Sequence, residues 1–323
     1  MLEGLRLAHY QFHLEAVTPV YVPEYKGSVL RGALGTVLRR VSCALRQTTC
    51  TGCMLRSSCP YGVIFESGPG PESQHLRNFD QVARPFVLRP PQDNRKVIMP
   101  GEDLQFTLVL IGRAIEYLPY FIVVFRELGD EGIGLRQDRL RGKAHLRVVS
   151  SVHPLEDTTH QVFDGTSGLV KSDGYILTGE NLERWAVTLP SSKLNLEFTT
   201  ITRLQHDSRI VSTPQFHILI RTLLRRFSNL AYFHHGMDLD VDFKGMIERA
   251  HLVSTSSQSI QWLKWERYSS RQKASMDLGG FIGKVSYTGS LGEYLGLLAL
   301  GSAVNVGKNC TFGLGQYQIL TQQ

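Results

Sequence analysis

The chain has 323 residues, 42% of them hydrophobic and 20% charged, which is enough apolar side chain for two ordinary cores. No apolar run approaches the ~20 residues that span a bilayer, and Met1-Leu2-Glu3-Gly4 lacks the charged and apolar regions of a signal peptide, so a cytoplasmic protein is expected. A net charge of +6 suits a polyanionic partner without requiring one, and five cysteines, four of them between Cys43 and Cys59, do not have the distribution of a secreted disulfide scaffold.

Tyr10, Phe12 and Leu14 alternate with Gln11, His13 and Glu15, the period of a half-buried strand. Beyond Pro19 and Pro23, Val29, Leu30, Ala33, Leu34, Val37, Leu38 and Val41 recur at helical spacing, with Ser28 placed to cap the helix. Arg31, Arg39 and Arg40 lie off that stripe, on a face that is either solvated or turned to phosphates. Cys43, Cys50, Cys53 and Cys59 follow, with Gly52 inside the central pair and Pro60 behind the last. Four thiolates on one short loop suit a tetrahedral metal, and a closed four-ligand set implies a structural ion rather than a catalytic one. Zinc is the first expectation; an iron–sulfur cluster uses the same ligands, and free or disulfide-bonded cysteines stay open as alternatives.

Alternation resumes from Val97 to Arg113, and a helix is expected from Leu118 to Leu128 with Pro119 in its first turn. Gly132-Ile133-Gly134 then leads past Arg136, Arg139, Arg141 and Lys143, the densest basic stretch of the chain, diluted by Asp138 and Glu131. It reads equally as an RNA-contacting loop or an ordinary basic hairpin. Apolar density falls between Pro154 and Trp185, which places one domain at 1–155 with the cysteine insertion at 43–60, a linker at 156–190 and a second domain at 191–323.

The second domain opens on the alternation of Leu194, Leu196 and Phe198. Its best helix starts with Thr213 and Pro214, carries Phe216, Leu219, Ile220, Leu223, Leu224, Phe227 and Leu230 on one face, and ends near Gly236. Extended segments are expected over 259–268 and 281–287, then a helix opening at Ser290 with Glu293 as capping-box partner. Gly307-Lys308-Asn309-Cys310-Thr311-Phe312-Gly313-Leu314-Gly315 joins that helix to a last strand over 316–320. Nucleotide-binding glycine loops run from strand into helix, so the reverse order here fits them poorly. The glycines suit either an anion cradle built from backbone N–H groups or a turn that closes a sheet. Strand, helix, strand, strand, helix, strand is the ferredoxin-like order, so the fold expected is α+β: tandem ferredoxin-like domains with a cysteine-rich, metal-binding insertion.

Several stretches resemble the CRISPR-associated RAMP endoribonucleases that process precursor CRISPR RNA. They are Thr213-Pro-Gln-Phe-His-Ile-Leu-Ile-Arg-Thr-Leu-Leu-Arg-Arg-Phe-Ser, Trp265-Glu-Arg-Tyr-Ser-Ser-Arg-Gln-Lys, Gly279-Gly-Phe-Ile-Gly, Val306-Gly-Lys-Asn-Cys-Thr-Phe-Gly-Leu-Gly-Gln-Tyr and Lys26-Gly-Ser-Val-Leu-Arg-Gly-Ala-Leu-Gly. The resemblance implies paired RRM-like domains, CRISPR repeat RNA and other effector subunits as partners, and RNA cleavage without a catalytic metal. Such chemistry needs a base for the 2′-OH, an acid for the departing 5′-oxygen and positive charge on the phosphate.

Similar enzymes draw these from histidine, tyrosine and lysine near the first helix. Here Tyr25 and Lys26 stand before that helix, whereas no histidine occurs between His13 and His75, so His13 is the nearest imidazole. His234 and His235 read as a helix cap and dipole partner. For RNA contact the candidates are Arg31, Arg39, Arg267, Arg271, Lys273, Lys308 and the backbone at Gly307, Gly313 and Gly315, with Tyr268 and Trp265 as stacking or core aromatics. A RAMP subunit that binds RNA without cutting it, and a redox protein built on an iron–sulfur cluster, are the competing functions.

Overall fold

The computed structural model describes residues 1–46, 49–68, 82–269 and 274–321. The elements run β1 (Arg6–Ala16), β2 (Val20–Tyr21), α1 (Gly27–Ser42), α2 (Pro60–Phe65), β3 (Phe86–Arg89), β4 (Val97–Ile98), β5 (Asp103–Ile111), α3 (Leu118–Glu131), β6 (Ile133–Gln137), β7 (Leu140–Gly142), β8 (Ala144–His153) and β9 (Thr158–Asp164). They continue with β10 (Leu177–Thr178), α4 (Gly179–Ala186), β11 (Lys193–Thr202), β12 (Gln205–His206), β13 (Arg209–Ile210), α5 (Phe216–His235), α6 (Phe243–Ala250), β14 (Ser254–Leu263), β15 (Glu266–Ser269), β16 (Ala274–Asp277), β17 (Gly280–Thr288), α7 (Leu295–Val304) and β18 (Tyr317–Leu320). No helix among the described residues is long and apolar enough to cross a membrane.

One compact unit comprises 6–177 with 233–236. Its six-stranded sheet is ordered β3-β5-β1-β8-β9, with the short β10 also paired to β1; the first four are antiparallel in the ferredoxin-like arrangement, and β9 adds a strand at one edge. Phe12 stands opposite Phe106 on β5 and Val149 on β8, and the rings of Phe12, Phe106 and Phe125 meet at 4.6–5.2 Å. Leu30 and Leu34 of α1 and Phe121 and Phe125 of α3 join the same core. The apolar face of β1 thus lies under the helices, while Gln11, His13 and Glu15 are half-buried on the other face.

The other unit comprises 1–5, 178–232 and 237–323, with sheet order β14-β17-β11-β18, the same arrangement without an addition. Phe198, Phe281 and Tyr317 pack at its centre. Strand β14 is mostly exposed and rich in serine.

Two expectations are corrected here. The stretch 156–190 is not a linker: it holds β9, which pairs with β8 from His153–Thr158 to Val148–Asp164, and α4, closed by a capping box between Thr178 and Asn181. An edge strand and a short helix need few apolar residues, and that thinned the signal. Nor does a capping box open α7. Glu293 instead takes Arg249 Nη2 at 2.7 Å, and the helix begins through a 3₁₀ turn at Gly292–Tyr294.

Three imidazoles gather at the start of α5. His217 stacks on His251 at 3.8 Å between ring centres, and His206 meets it edge-on at 5.7 Å. Burial first, then the neighbouring charges of His251, His206 and Arg221, lower the His217 pKa from 6.5 to about 4. A depressed basic pKa means that the unfolded chain binds more protons, so stability falls as pH drops from 6.5 toward about 4. Urea titrations across that range should show the midpoint falling on acidification, and His217→Gln should flatten the dependence; an unchanged pH profile in the variant would refute the assignment.

Candidate nucleic-acid interface

Residues 22–26 bring the chain from β2 to α1 and carry two of the three expected catalytic groups. Tyr25 is half-buried there. Lys26, the residue preceding α1, is 1% exposed; its Nζ lies 2.9 Å from Asp93 Oδ1 and donates to the Asp93 carbonyl oxygen at 2.7 Å. Burial disfavours the ionised Asp93, yet bonds from Arg95 and Lys26 outweigh it and hold that carboxyl below its ordinary range. As folded, Lys26 is half of a buried ion pair rather than an open proton donor, because Nζ is enclosed by its partner. Asp93 and Arg95 were the residues missed; a carboxylate 67 positions away leaves no local pattern.

His13 is half-buried in the middle of β1, on the sheet face opposite the one that α1 and α3 cover, and its Nδ1 accepts from Gln105 Nε2 at 2.9 Å. His13 and the Lys26 ammonium are therefore held on separate pieces of the same unit. Arg31 and Arg39 project from α1 over rings of α2: the Arg31 guanidinium is 4.9 Å from the centre of Phe65, and that of Arg39 is 5.6 Å from Tyr61. Each helps close α2 onto α1, whatever else it contacts.

The cysteine loop is only partly drawn together. Cys43, Cys50, Cys53 and Cys59 are all half-buried, and the Cys53 N–H donates to the Cys50 carbonyl oxygen at 3.3 Å. Burial raises the Cys50 pKa, with Glu66 and the thiols of Cys59 and Cys43 adding to it and Arg39 opposing. The thiols of Cys43 and Cys59 thus both lie within electrostatic reach of Cys50. Among the described residues, no group of three or more His, Cys, Asp or Glu side chains is arranged to hold a metal.

In the other unit, the glycine-rich loop is packed into the fold. Asn305, Gly307, Asn309, Gly313 and Gly315 take positive φ (62°, 91°, 65°, 88° and 74°). The Gly315 N–H donates to Ile201 O at 3.0 Å, that of Gly313 to Cys310 O at 2.8 Å and that of Lys308 to Arg203 O at 3.0 Å. Asn305 Nδ2 bonds the carbonyls of Gly313 and Leu314, and Thr200 Oγ1 bonds both Gly313 O and the Gln316 N–H. The expected N–H cradle is corrected at Gly313 and Gly315: those donors serve carbonyls of the fold, and the turn that closes a sheet describes them. Thr200, Asn305 and Arg203 are the braces that spacing alone did not reveal. Arg203 is buried, donates to Gly279 O, and has its pKa lowered by burial. Lys308 remains exposed on the loop's outside.

Arg267 and Tyr268 fall on β15, opposite Met276 and Ser275 of β16. Arg271 and Lys273 lie outside the described residues. On the outer face of this unit's sheet is a cavity of about 470 Å³ bordered by Lys193, Asn195, Ser257, Ser259, Lys284 and Ser286. Ser257 Oγ donates to Ser286 Oγ at 3.0 Å, which donates to Asn195 Oδ1 at 2.7 Å, a polar row across three strands.

Two ferredoxin-like sheets in tandem, each with a polar outer face, define the RAMP class of fold. A family model described as an N-terminal domain, AF_1859_N, matches residues 5–174, and that of the CRISPR-associated endoribonuclease Cas6 matches 196–317. The chain belongs to the family of that N-terminal domain, whose model covers over half of it, and its residues 196–317 are similar to the CRISPR-associated endoribonuclease Cas6. An uncharacterized protein of Archaeoglobus fulgidus is 24% identical over 322 residues, covering 97% of this chain and 95% of the relative. Among solved structures, a product complex of a Thermus thermophilus Cas6 is similar over 97% of this chain and 99% of its own, at 15% identity and a TM-score of 0.58. A partial Cas6-RT-Cas1–Cas2 complex aligns over 98% of this chain and 46% of its own, at 13% identity and a TM-score of 0.56.

Proposed function

We propose that the protein cuts CRISPR repeat RNA in precursor transcripts, in the cytoplasm, using the RNA's own 2′-OH as nucleophile. The observation that supports this most is the Cas6 endoribonuclease match over 196–317, which coincides with a complete ferredoxin-like unit. The 2′-oxygen loses its proton and bonds to phosphorus, the bond from phosphorus to the 5′-oxygen breaks, and that oxygen takes up a proton. The products are a 2′,3′-cyclic phosphate and a 5′-hydroxyl, and no step needs a metal. Tyr25 and His13 are the proton-transfer candidates, and such groups contribute about 10²–10⁴-fold in rate. Lys26 we assign instead to fixing the chain ahead of α1 through Asp93. Lys308, Arg267, Arg271 and Lys273 are the proposed phosphate contacts, with Tyr268 a stacking ring. Purified protein incubated with repeat RNA in EDTA should yield both ends; RNA that stays bound and whole would refute cleavage.

A second reading, a RAMP subunit that holds CRISPR RNA in an effector complex without cutting it, is favoured by two features. Lys26 Nζ is committed to Asp93, and the first helix carries no histidine. The same incubation separates the two readings.

We further propose that Cys43, Cys50, Cys53 and Cys59, which share one short loop but are not arranged around a common point as folded, would close on one structural zinc ion when it binds, replacing four thiol protons and fixing the loop between α1 and α2. Elemental analysis should return one zinc per chain, and Cys53→Ser should lose it together with several degrees of melting temperature. A Cys53→Ser protein equal in zinc and melting temperature to the parent would contradict this.

A further inference from the structure

Between α3 and β8 the chain runs out and back as a two-stranded ribbon, β6 and β7, turning through Asp138 and Arg139 at φ 48° and 70°. Two adjacent left-handed residues make the tight turn whose twist matches paired strands, and Gln137 faces Leu140 across it. The root is fixed to the chain leaving β1. A Cβ on Gly134 would strike the carbonyl oxygen of Tyr21, and one on Gly142 that of Pro19, so glycine lets the backbones touch. The N–H groups of Val17 and Thr18 both donate to Lys143 O, at 2.8 and 3.2 Å, and the Lys143 N–H returns to Thr18 Oγ1 at 2.8 Å.

Beyond that root, every side chain from Leu135 to Arg141 is exposed. Arg136, Arg139 and Arg141 form no ion pair or side-chain hydrogen bond among the described residues. The acids closest in sequence on α3, Glu127 and Glu131, are held by Arg40 at 2.6 and 2.7 Å, and Asp130 faces His145 at 3.7 Å. Asp138 is the one acid between Leu135 and Lys143. Leu140 is 74% exposed and Leu135 44%, two apolar side chains standing among unmatched guanidinium groups.

We infer that this hairpin is a finger that grips the ribose-phosphate backbone of the RNA and adds affinity without selecting bases. The inference rests on the RNA substrate proposed above. Guanidinium forks match phosphate oxygens, and a ribbon clamped at its base holds three of them in place before RNA arrives. The exposed leucines lie where sugar faces would cover them. RNA is favoured over an acidic protein surface because the finger's root is stitched to residues 17–21, which lead directly into Tyr25.

The test compares the parent with R136A/R139A/R141A and with Asp138→Asn, measuring affinity for repeat RNA and for a scrambled RNA of equal length at several salt concentrations. The triple variant should bind both RNAs at least about tenfold more weakly, and its plot of log affinity against log salt should be shallower by about 2, at roughly 0.7–0.9 for each phosphate left without its arginine. Asp138→Asn should bind both more tightly. Because these side chains are exposed and form no ion pair or side-chain hydrogen bond among the described residues, the parental melting temperature should persist; if the triple variant fails to fold, Asp138→Asn decides. Parental affinity and slope in the variants, with repeat RNA still bound by the parent, would overturn the finger and leave the substrate standing. A weakening confined to repeat RNA would overturn its indifference to sequence. A parent that binds no repeat RNA would overturn both readings.

Discussion

Gly315→Ala is expected to destabilise the C-terminal unit by about 3 kcal/mol, while Lys308→Ala, seven positions earlier in the same loop, should change it by no more than ~0.5 kcal/mol. Gly315 sits at φ 74°, where a Cβ meets its own backbone unfavourably, and here it would also be driven onto the carbonyl oxygen of Val306. That oxygen cannot step aside. The Val306 N–H donates to Gly315 O at 2.8 Å, so the two residues are already locked, and Ile201 O holds the Gly315 N–H from β11. Relief would have to come from parting β11 and the loop that feeds β18. Lys308, by contrast, is exposed, and its backbone bond to Arg203 survives truncation. All three tryptophans, Trp185, Trp262 and Trp265, belong to this unit, so their fluorescence during urea unfolding reports on it alone. Equal midpoints for Gly315→Ala and the parent would show that the loop is not the brace described.

Asp93→Asn should cost the N-terminal unit about 2 kcal/mol, and adding Lys26→Met should restore at least half of it. Removing one member of a buried pair strands the other. Lys26 is 1% exposed, so its ammonium would keep a neutral amide and one carbonyl in place of a carboxylate; the 33% exposure of Asp93 lets water soften the loss. Methionine fills nearly the same volume without a charge. The pH dependence has a definite sign. Because Asp93 is held below its ordinary pKa in the folded state, its contribution is present above the unfolded value and disappears as pH falls through the folded one. Calorimetry should therefore show parent and Asp93→Asn converging in acid. A double variant no more stable than Asp93→Asn would contradict the pairing.

How much of this was legible beforehand depended on whether the cause was local. Alternation along Tyr10–Leu14 and Leu194–Phe198 marked β1 and β11 as strands with one buried face, because a buried face imposes a period of two. The stripe from Phe216 to Leu230 marked α5 for the same reason at 3.6. The elements of 156–190 were hidden, since β9 covers only one edge and needs little apolar surface. The glycines of 307–315 announced unusual backbone, but not whether their N–H groups faced solvent or Ile201 and Cys310. Positive φ is a local property; the partner of an N–H is not. Lys26 failed in the same way. Its place before the first helix was readable, whereas its enclosure by Asp93 is set by a chain segment 67 residues further on. The Arg136–Lys143 stretch left two readings open; its turn, clamped root and unpaired arginines are what support the proposed RNA contact.

Cleavage through the 2′-OH is decided by two repeat RNAs, identical except for a single 2′-deoxyribose at the cleaved position, each incubated with the protein in EDTA and resolved with end-group analysis. Both should bind equally, the all-ribose strand should be cut to a 2′,3′-cyclic phosphate and a 5′-hydroxyl, and the deoxy strand should stay whole. Cleavage of the deoxy strand at the same rate, or an all-ribose strand bound and intact until metal is added, would contradict it.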